Sequence, residues 1–194
     1  MVSKRSWQLC TAAGCELVIG GFPPFSYDAT GGGGISAHED EPEEGGATTR
    51  LDFPPHQLTI PPLDSARGRF LGLPLPPGLS IQIRPDRLAG QLNLNSGELT
   101  LDFRSRFQFT LGRAEAPLYQ ASDLVVETQL TTGTVRGQRQ TRSGRPLGPD
   151  GSATLVGMAC IEPCRDPWLN WFLGLPDQAL AVMHLTLQEI ECAN

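Results

Sequence analysis

Between Leu99 and Leu111, the residues Leu99, Leu101, Phe103, Phe107, Phe109 and Leu111 share one parity, broken only by Ser105. Thr100, Asp102, Arg104, Arg106, Gln108 and Thr110 hold the other. Successive side chains of a strand point to opposite faces, so this alternation predicts a long strand with one dry and one wet face, as in an antiparallel sheet. Just upstream, Leu92-Asn93-Leu94-Asn95-Ser96-Gly97-Glu98 predicts a hairpin. With Asn95 opposite Glu98 across Ser96-Gly97, Leu94 meets Leu99 and Leu92 meets Leu101 on one face. Further strands are predicted over Cys15–Gly20, Gln57–Ile60, Leu79–Arg84, Leu124–Thr131, Ala153–Cys160 and Ala181–Ile190. The total is about eight strands joined by Gly- and Pro-rich turns, the pattern of an all-β antiparallel barrel or sandwich. No long amphipathic segments separate the strands, which argues against a parallel α/β fold.

One short helix is predicted near 166–174. Asp166 is a good N-cap, Pro167 suits the first helical position, and Gly174 with Pro176 supplies a stop. Trp168, Trp171, Phe172 and Leu175 then line one face. This segment also belongs to a repeat. Phe70-Leu71-Gly72-Leu73-Pro74 returns as Phe172-Leu173-Gly174-Leu175-Pro176, with Pro61 and Asp64 matching Pro163 and Asp166. Leu79, Ile81 and Ile83 fall in phase with Ala181, Met183 and Leu185. A reused supersecondary unit predicts two similarly built corners feeding two strands. Ser65-Ala66-Arg67-Gly68 is a poor helix former, so the first copy is expected to start with a loop or single turn.

The chain of 194 residues fits one β-rich domain over 1–194, large enough to bury a core without metals or disulfides. Its 22 Gly and 17 Pro favour turns and short strands over long helices. No apolar run approaches the roughly 18 residues of a membrane helix. Met1–Thr11 is too polar for a secretory signal, so the protein is expected in the cytoplasm. Ala12-Ala13-Gly14-Cys15 looks like a lipoprotein cleavage box but lacks the preceding apolar stretch. A net charge of −6 argues against nucleic-acid binding.

Residues 29–50 hold Gly31–Gly34 and the acidic run around His38, and are expected to form a mobile loop. Arg136, Arg139, Arg142 and Arg145 recur every third residue. They suggest an exposed basic hairpin tip, either a solubilising loop or a contact for phosphate or a partner. Five cysteines, Cys10, Cys15, Cys160, Cys164 and Cys192, contain no Cys-x-x-Cys pair. Reduced, packed thiols are the expectation; a four-thiolate zinc site or short-range disulfides are the alternatives. His38, His56 and His184 fall in no catalytic motif, and no nucleophile elbow, phosphate-binding loop, dinucleotide fingerprint or zinc-protease pair is present. The carboxylate pairs Asp86 with Glu98 and Asp123 with Glu127 are too generic for glycosidase chemistry. No enzyme, cofactor or metal is therefore expected.

Leu58-Thr59-Ile60-Pro61-Pro62-Leu63, both Phe-Leu-Gly-Leu-Pro copies, the Asn95-Ser96-Gly97 turn and Gly20-Gly21-Phe22-Pro23-Pro24-Phe25-Ser26-Tyr27 together resemble an uncharacterised β-rich family of cyanobacteria and plant chloroplasts. The resemblance implies an oxygenic phototroph and a setting near thylakoids. It carries no activity and no functional residues.

These observations converge on a non-enzymatic binding module that takes an apolar small molecule, such as a lipid, isoprenoid or pigment, inside the β structure. Leu101, Phe103, Phe107 and Phe109 would line the cavity, with Phe70, Phe172, Trp168 and Trp171 near one end. The alternative is a scaffold that docks on a protein or membrane surface through those aromatics and the Arg loop.

Overall fold

The computed structural model describes residues 5–37, 47–113 and 115–191. Its strands are Arg5–Thr11 (β1), Cys15–Ile19 (β2), Phe25–Tyr27 (β3), Gly33–Ile35 (β4), Thr48–Asp52 (β5), Gly68–Phe70 (β6), Leu73–Pro74 (β7) and Leu79–Asn93 (β8). Then come Leu99–Arg113 (β9), Ala116–Gln120 (β10), Leu124–Thr131 (β11), Thr134–Arg136 (β12), Thr141–Ser143 (β13), Ser152–Ile161 (β14) and Asp177–Glu191 (β15). A helix, Pro167–Leu173 (α1), precedes β15. One antiparallel sheet of 13 strands follows the path β5-β8-β9-β11-β14-β15-β2-β3-β6-β7, with β1 also on β15, β4 on β1 and β10 on β9. The remaining two strands, β12 and β13, form a separate ribbon.

The fold class is β, as the alternation predicts, but the strand count and closure differ. Among the described residues there are about fifteen strands rather than eight, and no continuous ladder closes the sheet into a barrel. The branch through β1 and β4 reaches β8 only by single bridges, Gly33 to Thr59 and Leu63 to Ile81. Proline is the physical reason. Pro54, Pro55, Pro61 and Pro62 cannot donate to a ladder, so the strand expected over Gln57–Ile60 becomes a 3-10 turn at Pro55–Gln57 followed by an extended, sparsely bonded segment. The extra strands β3, β4 and β6 have 3 residues each, too short to show alternation. Gly33–Ile35 and Thr48–Asp52 thus order both ends of the loop expected over 29–50, and the acidic run at 38–46 lies outside the described residues.

The central hairpin is longer than its two expected pieces. β8 runs unbroken through Pro85, where a register shift between Pro85 and Arg87 leaves Asp86 as the extra residue of a bulge. Opposite Pro85, fully buried Ser105 donates its hydroxyl to the Arg84 carbonyl at 2.8 Å. That bond explains the one polar break in the Leu/Phe stripe. The register also shifts from expectation: Leu92 faces Leu99 and Gly90 faces Leu101. The cause is a wider turn. Asn93 Oδ1 accepts from the Asn95 and Ser96 backbone N–H groups, and Gly97 turns with φ +70°, so Leu94 joins the turn and is exposed.

Helix α1 forms as its caps dictate. Asp166 accepts from Leu169 N at 3.0 Å, and Gly174 closes the end in the left-handed region at φ 70°. Its buried side is Leu169 and Leu173, while Trp168, Trp171 and Phe172 of the aromatic face point outward. Leu169 and Leu173 pack into the second core cluster.

The two copies of the repeat adopt different structures. The second is a helix C-terminus; the first is the β6–β7 hairpin, with Phe70 paired to Leu73 across Leu71-Gly72. What they share is an Asp at the start. Asp64 accepts from Ala66 and Arg67 N as Asp166 does from Leu169 N, and each Asp carbonyl accepts from the N–H four residues on. Leu71 at φ 51° and Gly72 at φ 79° both lie in the left-handed region, as a type I′ turn demands. Leucine pays for that φ, and its side chain gains little back at 70% exposure. Leu71→Asn is therefore expected to raise stability by about 1 kcal/mol, measurable as an increase in the urea midpoint at unchanged m-value.

Candidate functional site

The inward residues of this sheet form two separate packed clusters. One contains Leu51, Phe53, Leu92, Leu99, Leu101, Leu155 and Leu187; the other contains Leu63, Ile81, Phe109, Leu124, Ile161, Leu169 and Leu173. Between them lies a cavity of about 180 Å³, walled by members of both, including Leu9, Leu88 and Leu130 from the first and Ile81, Phe109 and Leu173 from the second. Core packing normally leaves few voids larger than a water molecule, so a void of this size is a feature of the fold to be accounted for.

Alternation places the wall. β9 contributes Phe103, Phe107 and Phe109, and their cross-strand partners complete two sides: Ile83 and Leu124 face Phe107, Ile81 faces Phe109, and Leu88 and Thr128 face Phe103. β15 adds Ala179, Ala181 and Met183, and β14 adds Gly157, Ala159 and Ile161. Gly157 and Ala181 pair directly with each other, and the missing Cβ of Gly157 makes room for the Leu130 side chain, 2.8 Å from where that Cβ would lie. Phe103 and Phe107 point inward yet stay only partly buried, and the surface they retain is cavity wall.

The wall has few polar side chains, and most of them are bonded to the chain itself. Thr11 donates to the Ala29 carbonyl at 2.6 Å, Thr128 to the Met158 carbonyl at 3.0 Å, and Tyr27 to the Pro61 carbonyl. Cys15 Sγ contacts the Ala12 carbonyl at 3.3 Å. Burial pushes the Tyr27 hydroxyl up to about 12 and the Cys15 thiol above its ordinary value, so both are neutral near pH 7. The only charged wall residue among those described, Glu16, is paired to Arg142 at 3.6 Å.

Of the residues singled out in the sequence, Phe103, Phe107 and Phe109 line the cavity, whereas Leu101 is fully buried in the first cluster and does not. Phe70 stacks on Phe25 at 4.6 Å between ring centroids, beside the second cluster. Trp168, Trp171 and Phe172 are 52%, 78% and 48% exposed on the outside of α1. Trp168 stacks on Phe172 and meets Tyr119 edge-on, while Phe22 touches Phe172. Tyr119 donates to the Asp166 carboxylate at 2.5 Å; the bond holds that carboxyl below its usual range, and burial together with the bond raises the phenol. Sequence reasoning missed Ile81, Ile83, Leu124 and Val126 as wall residues; pairing them to the Phe stripe in register would have found them.

Arg136, Arg139 and Arg142 belong to the β12–β13 hairpin and Arg145 follows just beyond it; the series lies against β14 and β15 and finds partners there. Arg139 pairs with Asp177 at 2.6 Å and Arg142 with Glu16, while Arg145 donates to Ser152 Oγ and bridges Thr154; Arg136 is exposed. Arg139 holds the Asp177 carboxyl below its ordinary range. Three of the four arginines thus serve as a strap on the outer face. Asp86 and Asp123 do not pair with other carboxylates; both meet Arg106, at 2.8 and 3.9 Å.

Cys10, Cys15, Cys160 and Cys164 are free thiols, and no group of three or more potential metal ligands occurs among the described residues. His184 Nδ1 lies 3.1 Å from Thr154 Oγ1, and Cys15 meets His184 through its backbone rather than its ring. His56 is exposed beside Gln57. No described helix is long and apolar enough to cross a membrane.

No family model, curated protein or solved structure matches this chain. The functional reading therefore rests on geometry and chemistry.

Proposed function

We propose that the protein is a non-enzymatic binding module whose β interior takes up an apolar small molecule. One observation carries this reading: a cavity of about 180 Å³ stands where packing should have closed, and its wall is built of Leu, Ile, Val, Phe, Ala and Met from many strands. An engineered apolar cavity of about 150 Å³ stays dry and admits benzene, so a void of this size and lining favours a nonpolar guest over water. A lipid, isoprenoid or pigment, the ligands in keeping with the phototroph setting that the sequence resemblance implies, would place its apolar end here. Organic-solvent extraction of the purified protein, followed by mass spectrometry, should yield one apolar compound in near-stoichiometric amount. An extract with no such compound, together with failure of naphthalene to bind, would remove the reading.

The outward aromatics of α1 favour a second role for the same end of the molecule, docking on a lipid surface. Trp168, Trp171 and Phe172 are exposed, Phe22 joins them to the strand that carries Phe25, and exposed Leu71 and Leu73 follow Phe70 beyond it. Trp and Phe on the outward side of a short helix, beside exposed Leu on the neighbouring hairpin, are suited to the bilayer interface. Trp171→Ser is expected to lower cosedimentation with phosphatidylcholine vesicles roughly tenfold while leaving folding intact. Unchanged cosedimentation would assign the patch elsewhere.

A further inference from the structure

Resting on the cavity reading above, we propose that the site selects a wholly apolar guest moiety, a hydrocarbon ring or short branched chain, and rejects guests of the same shape that carry a hydrogen-bonding or ionised group. The argument is one of satisfied donors. Thr11, Tyr27 and Thr128 already donate to backbone carbonyls of their own chain, and Cys15 Sγ contacts the Ala12 carbonyl. No Arg, Lys, His, Asn or Gln lines the wall among the described residues. A guest hydroxyl would leave water for a wall that is almost wholly apolar, which costs about 1–3 kcal/mol. A carboxylate would fare worse. It would meet no cation in the wall.

The volume limits the guest as well. At about 180 Å³ the cavity is little larger than one that accepts benzene, so a single substituted ring or the branched end of a longer chain fills it. An amphiphile with a long tail would leave most of itself outside. Among lipids, isoprenoids and pigments, this favours molecules whose terminus is pure hydrocarbon over fatty acids that enter head first.

Toluene, phenol and benzoate form the test, because they share one ring and differ in a single substituent. The full chain, depleted of co-purifying guest on a hydrophobic resin, is titrated with naphthalene fluorescence as the reporter. Toluene should displace naphthalene at least about tenfold more effectively than phenol, and benzoate at pH 7 should not compete. Val126→Phe, which fills the wall from β11, should abolish naphthalene and toluene binding together; Ala181→Leu does the same from β15 if the first variant folds poorly. Phenol or benzoate competing as well as toluene would overturn the selectivity while leaving a functional cavity. Naphthalene binding that toluene cannot displace would also overturn it, and no naphthalene binding at all would sink both the selectivity and the cavity.

Discussion

Leu101→Ala is expected to cost about 2–5 kcal/mol, whereas Phe107→Ala, which removes more atoms, should cost no more than about 3 kcal/mol. The inversion follows from where each side chain ends. Leu101 is fully buried and surrounded by Leu92, Leu99, Leu130 and Leu155 in the first cluster, so its deletion leaves a new void among close-packed partners. Phe107 already has the cavity on one side of its ring, so it loses fewer contacts and merely enlarges a space that exists. Denaturant titration of both variants measures the difference directly. A larger loss at Phe107 than at Leu101 would mean that the ring is fully packed in solution and the cavity collapsed.

Gly33→Ala carries the second large effect. Gly33 adopts φ +132°, and a Cβ there would lie 1.9 Å from the Leu9 carbonyl oxygen. Backbone cannot yield by that much without breaking the β1–β4 pairing and the Gly33 to Thr59 bridge, which is one of two single links on this side of the sheet. The expected destabilisation is roughly 2–4 kcal/mol, with guest binding lost because β4 supplies part of the cavity wall. Gly21→Ala is the control, since nothing lies within 4 Å of its would-be Cβ, and it should stay within about 0.5 kcal/mol of the parent. Equal urea midpoints for the two variants would show that the 58–63 segment does not depend on β4.

Part of the wall, Phe103, Phe107 and Phe109, was legible because strand alternation is a strong local signal. Phe103, Phe107 and Phe109 share parity over a 15-residue strand, and no turn chemistry intervenes to shift them. Leu101 shares that parity but sits one pair nearer the turn, where Leu92, Leu99 and Leu155 fill the space, and alternation cannot tell a packed stretch from an open one. Register was less legible. The Asx turn at Asn93 takes Leu94 out of the ladder, which a two-residue turn from Asn-Ser-Gly does not anticipate. The outward direction of Trp168 and Trp171 was hidden for a different reason: in a helix of 7 residues either face satisfies the periodicity, and only the tertiary neighbours of Leu169 and Leu173 decide. The two copies of Phe-Leu-Gly-Leu-Pro diverge because Gly at φ > 0 ends a helix and turns a hairpin equally well. What precedes it, Arg67-Gly68-Arg69 in one copy and Trp168-Leu169-Asn170 in the other, selects the outcome. The arginines were read correctly as an exposed ribbon, while their partners Asp177, Glu16 and Ser152 lie too far along the chain to be seen from spacing alone.

Naphthalene titration of the parent protein and of Val126→Phe, with thermal unfolding of both, tests the account most directly. The cavity predicts saturable binding of one naphthalene per chain in the parent, its loss in Val126→Phe, and an unfolding temperature in the variant no lower than in the parent, because the added ring fills empty space. Absence of saturable binding in the parent, or equal binding in a folded Val126→Phe, would contradict it.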